Sequence, residues 1–193
     1  MTMRTMGRSA SALAVAAALI GVAVWAVGSL VAASEQGASS AVARGKALVD
    51  SMGCHDCHTP LKMGPNGPEP DMTRALSGHP AEMKMPPPPA PSGPWIGSFA
   101  ATMTAWAGPW GVSYTANLTP HKENGLGSWT EQQFIDAMRT GRHQGRGREI
   151  LPPMPWTAYK NLNDADLKAI FAYLRSLPPN SNKVPNPVIA PVK

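Results

Sequence analysis

The chain has few cysteines, few aromatic residues and few charges for its length. Its 193 residues include two cysteines, three tyrosines and three phenylalanines, and charged residues make up 15%. One cysteine pair cannot supply the two pairs of a common zinc site, and the scattered histidines His79, His121 and His143 do not complete one. The alternating strands and helices that carry a thioredoxin-like dithiol are also missing. The lone cysteine pair therefore favours another kind of site.

Proline and glycine, in contrast, are abundant. The chain has 21 prolines and 18 glycines. This composition predicts one domain with much loop and little regular structure. Such a domain needs a further source of buried apolar surface, and a bound cofactor can supply it.

The two cysteines lie in the motif Cys54-His55-Asp56-Cys57-His58. C-x-x-C-H is the attachment motif of a covalent haem (heme c), in which each thiol adds to one porphyrin vinyl group and the histidine ligates iron. A redox or metal-binding dithiol is the alternative. The motif predicts one haem, attached through Cys54 and Cys57, with His58 as the proximal ligand.

The N-terminus resembles an export segment. Arg4 and Arg8 precede an uncharged, apolar run over residues 9–33, and a positive end followed by an apolar stretch directs export. Val31-Ala32-Ala33 resembles a cleavage site, but the run is long enough to span a bilayer. We favour a retained anchor over a cleaved signal, which places residues 34–193 on the periplasmic side of the cytoplasmic membrane.

The rest of the chain divides into three segments. Residues 34–40 form a small polar spacer, residues 41–179 a domain, and residues 180–193 an extended, Pro-rich tail. Within the domain, residues 59–127 lack periodicity and contain the run Pro86–Pro89, which excludes helix and central strand there. We expect this Pro-, Gly- and Met-rich loop insertion to be either a partner-docking arm or a loop that shields the haem edge.

Three helices are predicted from capping and periodicity. The first runs from about Ser40 to Ser51, with Gly45 allowing close packing. The second starts at a capping box near Ser128 and stops at Gly141. The third begins near Asn163, stops before two prolines and carries an apolar stripe: Leu167, Ile170, Phe171 and Leu174.

Met154 is the predicted distal ligand of the iron. It lies in Leu151-Pro152-Pro153-Met154-Pro155-Trp156, where prolines on both sides restrict the backbone and hold the thioether on a stiff loop. Most other methionines are expected to fill the core or loops. The alternatives are Met63, Met72, Met83, Met85 and Met103, and, for bis-histidine ligation, His79, His121 and His143, which we expect in loops or on the surface.

A basic, glycine-rich turn precedes the Met154 loop. It contains Arg139, Arg142, His143, Arg146 and Arg148. The turn is either a solvated positive surface or a patch that steers an acidic redox partner or neighbours a haem propionate. Nucleic acid is not an expected partner, because the chain is exported and has no recognition fold.

Taken together, these motifs resemble class I (mono-haem) cytochromes c, especially single modules of bacterial alcohol-dehydrogenase-type cytochrome c subunits. Beside the haem motif, the matching stretches are Ala43-Arg44-Gly45-Lys46, Ala116-Asn117-Leu118-Thr119-Pro120, Gly125-Leu126-Gly127-Ser128-Trp129-Thr130, Leu151-Pro152-Pro153-Met154-Pro155, Leu162-Asn163-Asp164-Ala165-Asp166-Leu167 and Ala172-Tyr173-Leu174-Arg175-Ser176-Leu177-Pro178-Pro179. One departure is the single haem motif, since those subunits usually carry three modules. The longer insertion is another.

The resemblance implies an all-α class I cytochrome c fold around one covalent haem. It also implies crossing terminal helices, with Gly45 facing Phe171 or Tyr173, and it implies that certain residues lie near the haem: Asn117, Trp156 and Tyr159.

An iron held by His58 and Met154 has no open position, so the expected function is electron transfer and not catalysis. We expect a periplasmic one-electron carrier between a dehydrogenase or quinol-oxidising complex and a downstream acceptor. Its partners would be redox proteins, and possible further contacts are a membrane complex and the membrane itself through residues 9–33. The alternatives are an accessory subunit of a larger membrane complex and a haem enzyme with a labile distal ligand.

Overall fold

The computed structural model describes residues 36–90 and 93–190. The chain divides into two compact units, residues 1–40 and 41–193, and of the first unit only the last five residues are described. The expected export segment, residues 9–33, lies outside the described residues. In the part of the chain that is described, no helix is both long and apolar enough to cross a membrane.

Helix α1 covers residues 36–51 of the described chain. The prediction of a non-helical spacer over residues 34–40 is therefore wrong from residue 36 onward. Ser39 and Ser40 donate their hydroxyl hydrogens to carbonyl groups three residues earlier. This local bonding allows serines, which usually favour caps and turns, to lie within a helix.

Gly45 marks the contact between α1 and the last helix, α5 (Asp164–Ser176). A Cβ atom at position 45 would overlap the carbonyl oxygen of Ala169 and lie 2.8 Å from the Cβ of Tyr173. Only glycine permits this close approach of the two helices. The implied packing of Gly45 against Tyr173 is thus confirmed.

The prediction for α5 is accurate at its start. The side chain of Asn163 caps the helix by accepting a hydrogen bond from the backbone N–H of Asp166, as the sequence predicts. The apolar stripe of α5 is buried, and Phe171 lies 5.3 Å from Phe134 between ring centroids.

Phe134 belongs to helix α3 (Glu131–Thr140), whose N-cap, Thr130, lies two residues after the predicted cap Ser128. Thr130 and Gln133 form the box instead: the Thr130 hydroxyl accepts from the Gln133 N–H, and the Gln133 side chain accepts from the Thr130 N–H. The helix ends at Gly141, which has a left-handed φ of 67°, so the predicted stop is confirmed. The described part of the chain also contains two short α-helices, α2 (Cys54–His58) and α4 (Trp156–Tyr159).

The insertion and the tail contain β-strands, so the all-α prediction is wrong for these parts. One antiparallel hairpin pairs β1 with β2, and one antiparallel sheet has the strand order β3-β4-β5-β6. The strands are β1 (Leu61–Gly64), β2 (Gly67–Pro70), β3 (Ser98–Phe99), β4 (Ala105–Gly108), β5 (Gly111–Tyr114) and β6 (Val188–Ile189). They are short and rich in glycine and proline, and therefore carry no strand periodicity.

Polar side chains connect the insertion to the tail. The Asn182 amide donates to the carbonyl oxygens of Ser77 and His79, and its oxygen accepts from the Ala81 N–H. The Asn117 amide donates to carbonyl oxygens of the tail. These bonds hold residues 180–190, the predicted extended tail, against the domain.

Candidate haem-binding site

The cysteines and the histidine of the C-x-x-C-H motif lie on the single-turn helix α2. Cys54 and Cys57 form no disulfide. Burial raises the pKa of both thiols, that of Cys54 to about 11. Both side chains are therefore thiols at neutral pH. The thiol is the group that adds to a vinyl double bond.

His58 is held in one tautomer by the protein backbone. Its Nδ1 lies 2.7 Å from the carbonyl oxygen of Ala116, and because a carbonyl only accepts, Nδ1 must carry the hydrogen. Burial lowers the pKa of the His58 imidazole, which favours the neutral ring. Nε2 then has its lone pair available, and among the described residues it has no hydrogen-bond partner. A backbone carbonyl on Nδ1 is the usual outer contact of a metal-binding histidine.

One cavity of about 680 Å³ brings the predicted site residues together. Cys54, Cys57, His58 and Met154 all line it. The volume lies within the range of roughly 300–1,000 Å³ typical of cofactor sites. Much of the lining is apolar and comes from α3, the insertion and the Met154 loop: Leu118, Leu126, Phe134, Ala137, Ile150 and Leu151.

The alternative methionine ligands lie elsewhere. None of Met63, Met72, Met83, Met85 and Met103 lines this cavity, and Met63 and Met72 are 76% and 61% exposed. Met52 and Met138 do line it, although the sequence did not single them out. Met52 lies in the turn before α2, and its proximity to the haem motif could have indicated it. Met138 lies on the buried face of α3, and helix periodicity could have indicated it.

The alternative histidines also differ in whether they line the cavity. His79 lies in a loop, as expected, but its side chain is fully buried and not at the surface. Its Nδ1 lies 2.9 Å from the Thr104 hydroxyl and its Nε2 lies 3.1 Å from the Met83 carbonyl oxygen, so neither nitrogen is available to a metal in this arrangement. His143 lines the cavity and contacts the Trp129 ring edge to face at 4.7 Å. It remains the histidine alternative to Met154.

The cavity also has polar groups suited to the periphery of a haem. Thr115 lines it, and its Oγ1 is buried without a partner among the described residues. The charged lining residues are two cations, Arg148 and Lys183, and two carboxylates, Asp56 and Glu123. Two thiols, a neutral imidazole, a thioether and an apolar lining fit a covalent haem. When bound, a haem would be held by Cys54, Cys57 and His58 and would supply a one-electron iron centre.

The basic turn is partly neutralised by acidic neighbours. Arg139 pairs with Asp164 at 2.6 Å, and Arg142 pairs with Glu149 at 3.1 Å. Arg146 and Arg148 form no ion pair within the described ranges. This pairing reduces the positive charge available to steer a partner, whereas Arg148 lines the cavity, the position expected of a propionate neighbour.

Of the three residues that the resemblance places near the haem, two line the cavity. Asn117 and Tyr159 line the cavity, and the Tyr159 hydroxyl donates to the Met52 carbonyl oxygen at 2.8 Å. Trp156 does not line it; its ring packs where a Cβ at Gly141 would lie.

The helices around a cavity with this donor set define a haem-binding electron-transfer domain. Comparison with known proteins identifies the family. The family model "Cytochrome c" matches residues 42–178, and the chain therefore belongs to the cytochrome c family, whose members carry covalent haem.

Known relatives include components of dehydrogenases. The chain is similar to one of the subunits of nicotinate dehydrogenase from Pseudomonas putida, with 42% identity over 77 residues, which is 40% of this chain and 6% of the relative. The fructose dehydrogenase cytochrome subunit of Gluconobacter japonicus is 40% identical over 78 residues, 40% of this chain and 16% of the relative. The cytochrome c subunit of the alcohol dehydrogenase (quinone) of Gluconobacter oxydans is 35% identical over 65 residues, 34% of this chain and 13% of the relative. The chain thus spans a small part of each relative.

Proposed function

We propose that this chain is a periplasmic one-electron carrier. A single haem would be held covalently by Cys54 and Cys57 and through iron by His58 and Met154, and it would supply one-electron Fe(III)/Fe(II) exchange. The observation that carries the proposal is the one cavity lined by all four residues. With His58 and Met154 both bound to it, the iron would exchange electrons and have no free position for a substrate, while the protein supplies insulation and a docking surface.

Met154 is preferred over His143 as the distal ligand for two reasons. Met154 packs against the apolar core, whereas the His143 side chain is exposed. A Met/His pair also gives a higher potential than bis-histidine ligation, which suits an acceptor of electrons from a dehydrogenase.

The donor we propose is a dehydrogenase or a quinol-oxidising complex. The relatives' names support this, because they are cytochrome subunits of fructose, gluconate and alcohol dehydrogenases. The same names agree with the expectation that the chain is not itself an enzyme. The proposed location rests on Arg4 and Arg8 before the apolar run of residues 9–33, retained as a membrane anchor or removed after export.

Membership of a larger complex is a second candidate function, compatible with the first. No charged residue occurs between positions 85 and 120, and that stretch exposes Trp95, Ile96 and Phe99 by 75%, 68% and 61%. Exposed apolar groups of this size mark contacts with other proteins. Stoichiometric co-purification of other subunits with the full-length chain from its native membrane would support this function, and isolation of the chain alone at all salt concentrations would contradict it.

A potentiometric titration tests electron transfer directly. The purified holoprotein should show one reversible one-electron transition and one haem per chain by pyridine haemochrome. The ferrous protein should not bind carbon monoxide at neutral pH, because the thioether occupies the distal position. Rapid carbon monoxide binding would instead indicate a haem enzyme with an open iron.

A further inference from the structure

Ser113 of β5 is bonded directly to the Met154 loop. Its hydroxyl donates to the carbonyl oxygen of Pro152 at 2.6 Å, two residues before Met154. Ser113 is 8% exposed, so its hydroxyl group is largely shielded from water. The insertion is therefore hydrogen-bonded, through the Ser113 hydroxyl group, to the loop that carries the predicted distal ligand.

The Met154 loop makes few other hydrogen bonds, although Met154 itself packs against the apolar core. Pro152, Pro153 and Pro155 have no backbone N–H to donate. Among the described residues, the bond from Ser113 is the one hydrogen bond made to residues 151–154.

Ser113 itself lies on a firmly held strand. β5 pairs with β4 on one side, where Ser113 is opposite Trp106, and with β6 on the other, where Val112 is opposite Val188. The donor is thus fixed by hydrogen bonds on both edges of its strand. Because the donor is fixed, its hydrogen bond holds the loop in place relative to the sheet.

We propose that Ser113 is a positioning residue that keeps the Met154 sulfur on the iron. This inference rests on the proposed ligation of iron by Met154. A thioether is a weak, neutral ligand, so its occupancy depends on how well the protein holds it in place. Removing the Ser113 hydroxyl frees the loop and leaves the Pro152 carbonyl oxygen without its partner, which makes displacement of Met154 easier.

The test follows the Met-to-iron absorption band of the ferric holoprotein as the pH is raised until the band is lost. In Ser113→Ala the midpoint of this loss should fall by about one pH unit, corresponding to a roughly tenfold shift in the ligand-exchange equilibrium. Ser113→Thr, which keeps the hydroxyl on a β-strand, should restore a midpoint close to that of the wild type.

Thr104→Val is the matched control. Thr104 is a fully buried hydroxyl of the same sheet region that bonds to His79 and Thr102 and not to the Met154 loop. The variant should unfold at lower denaturant concentration but lose the band at the wild-type pH. An unchanged midpoint in Ser113→Ala, or an equal shift in Thr104→Val, would overturn the positioning role. Absence of the band from the wild type would instead overturn the ligation by Met154 on which that role rests.

Discussion

The helical part of the domain and the insertion over residues 59–127 are stabilised by different interactions. Apolar side chains of α1, α3 and α5 form the core around Phe134 and Phe171. In the insertion, eight of the described buried residues are polar or charged: Thr59, Ser77, His79, Thr102, Thr104, Ser113, Asn117 and Thr119. Apart from prolines, only four buried apolar side chains accompany them: Leu76, Ala100, Ala105 and Leu126. Apolar packing builds the haem-binding framework, and a hydrogen-bonded network fixes the insertion on it.

Removal of the Cys54 and Cys57 thiols should have the largest effect, and this effect should be confined to the helical part of the domain. The double variant Cys54→Ser, Cys57→Ser should retain no covalent haem, because a serine hydroxyl does not add to a vinyl group as a thiol does. Haem staining of a denaturing gel and pyridine haemochrome measure this. A Ser51→Ala variant, one turn before α2, should retain full haem content. Stained haem in the double variant would contradict covalent attachment at these positions.

Gly45→Ala should produce a large loss of stability through a single added methyl group. The new Cβ would overlap the backbone carbonyl of Ala169, and neither helix can move without disturbing the core. We expect the free energy of unfolding to fall by about 3 kcal/mol, measured by denaturant titration of the holoprotein.

Gly37→Ala is the control for Gly45 on the same helix. No atom of the described residues lies within 4 Å of a Cβ at Gly37, so alanine should change stability by no more than about 1 kcal/mol, in the stabilising direction. Equal effects of the two substitutions would show that helix propensity and not close packing explains Gly45.

Asn182→Ala tests the polar network of the insertion. Asn182 donates to the carbonyl oxygens of Ser77 and His79 and accepts from the Ala81 N–H. Removing these bonds should cost about 2 kcal/mol. Asn161→Ala, which removes an exposed amide with one weak local bond, should be nearly neutral. If the two variants were equally stable, the network would not be what holds the insertion and the tail together.

The smallest expected effect is a pH dependence from His79. Burial lowers the pKa of this imidazole, so the unfolded chain, with a histidine pKa near 6.5, binds the proton more readily. The free energy of unfolding should therefore fall as the pH falls below about 6.5, by at most about 1.4 kcal/mol per pH unit from this residue.

His79→Gln isolates this contribution. Glutamine can bond to Thr104 and Met83 but does not titrate, so the dependence between about pH 5 and 7 should be flatter than in the wild type. Denaturant titrations at several pH values measure the slopes. Identical slopes would show that protonation of His79 does not limit stability.

The contrast between the helical part of the domain and the insertion also explains which features the sequence could predict. The haem motif, the Met154 loop and α5 depend on local patterns: two thiols at fixed spacing, prolines around a methionine, and an apolar stripe with a capping asparagine. These patterns depend on neighbours in the sequence, and the structure brings the residues of the first two into one cavity. Local patterns were also enough to predict α3, apart from the choice of Thr130 over Ser128 as its cap.

The insertion could not be predicted because its bonds join distant residues. His79 is buried because Thr104, 25 residues away, satisfies one ring nitrogen. The tail folds back because Asn182 bonds to carbonyl groups more than 100 residues earlier. Strands of two to four residues with glycine and proline have no periodicity of their own, so no local pattern indicates them.

The most direct test of this account is the near-infrared spectrum of the ferric holoprotein. Wild type and His143→Ala should both show the band that arises from methionine bound to iron, and Met154→Ala should lack it while retaining its covalent haem. Absence of the band from the wild type, or its persistence in Met154→Ala, would contradict an iron held between His58 and Met154.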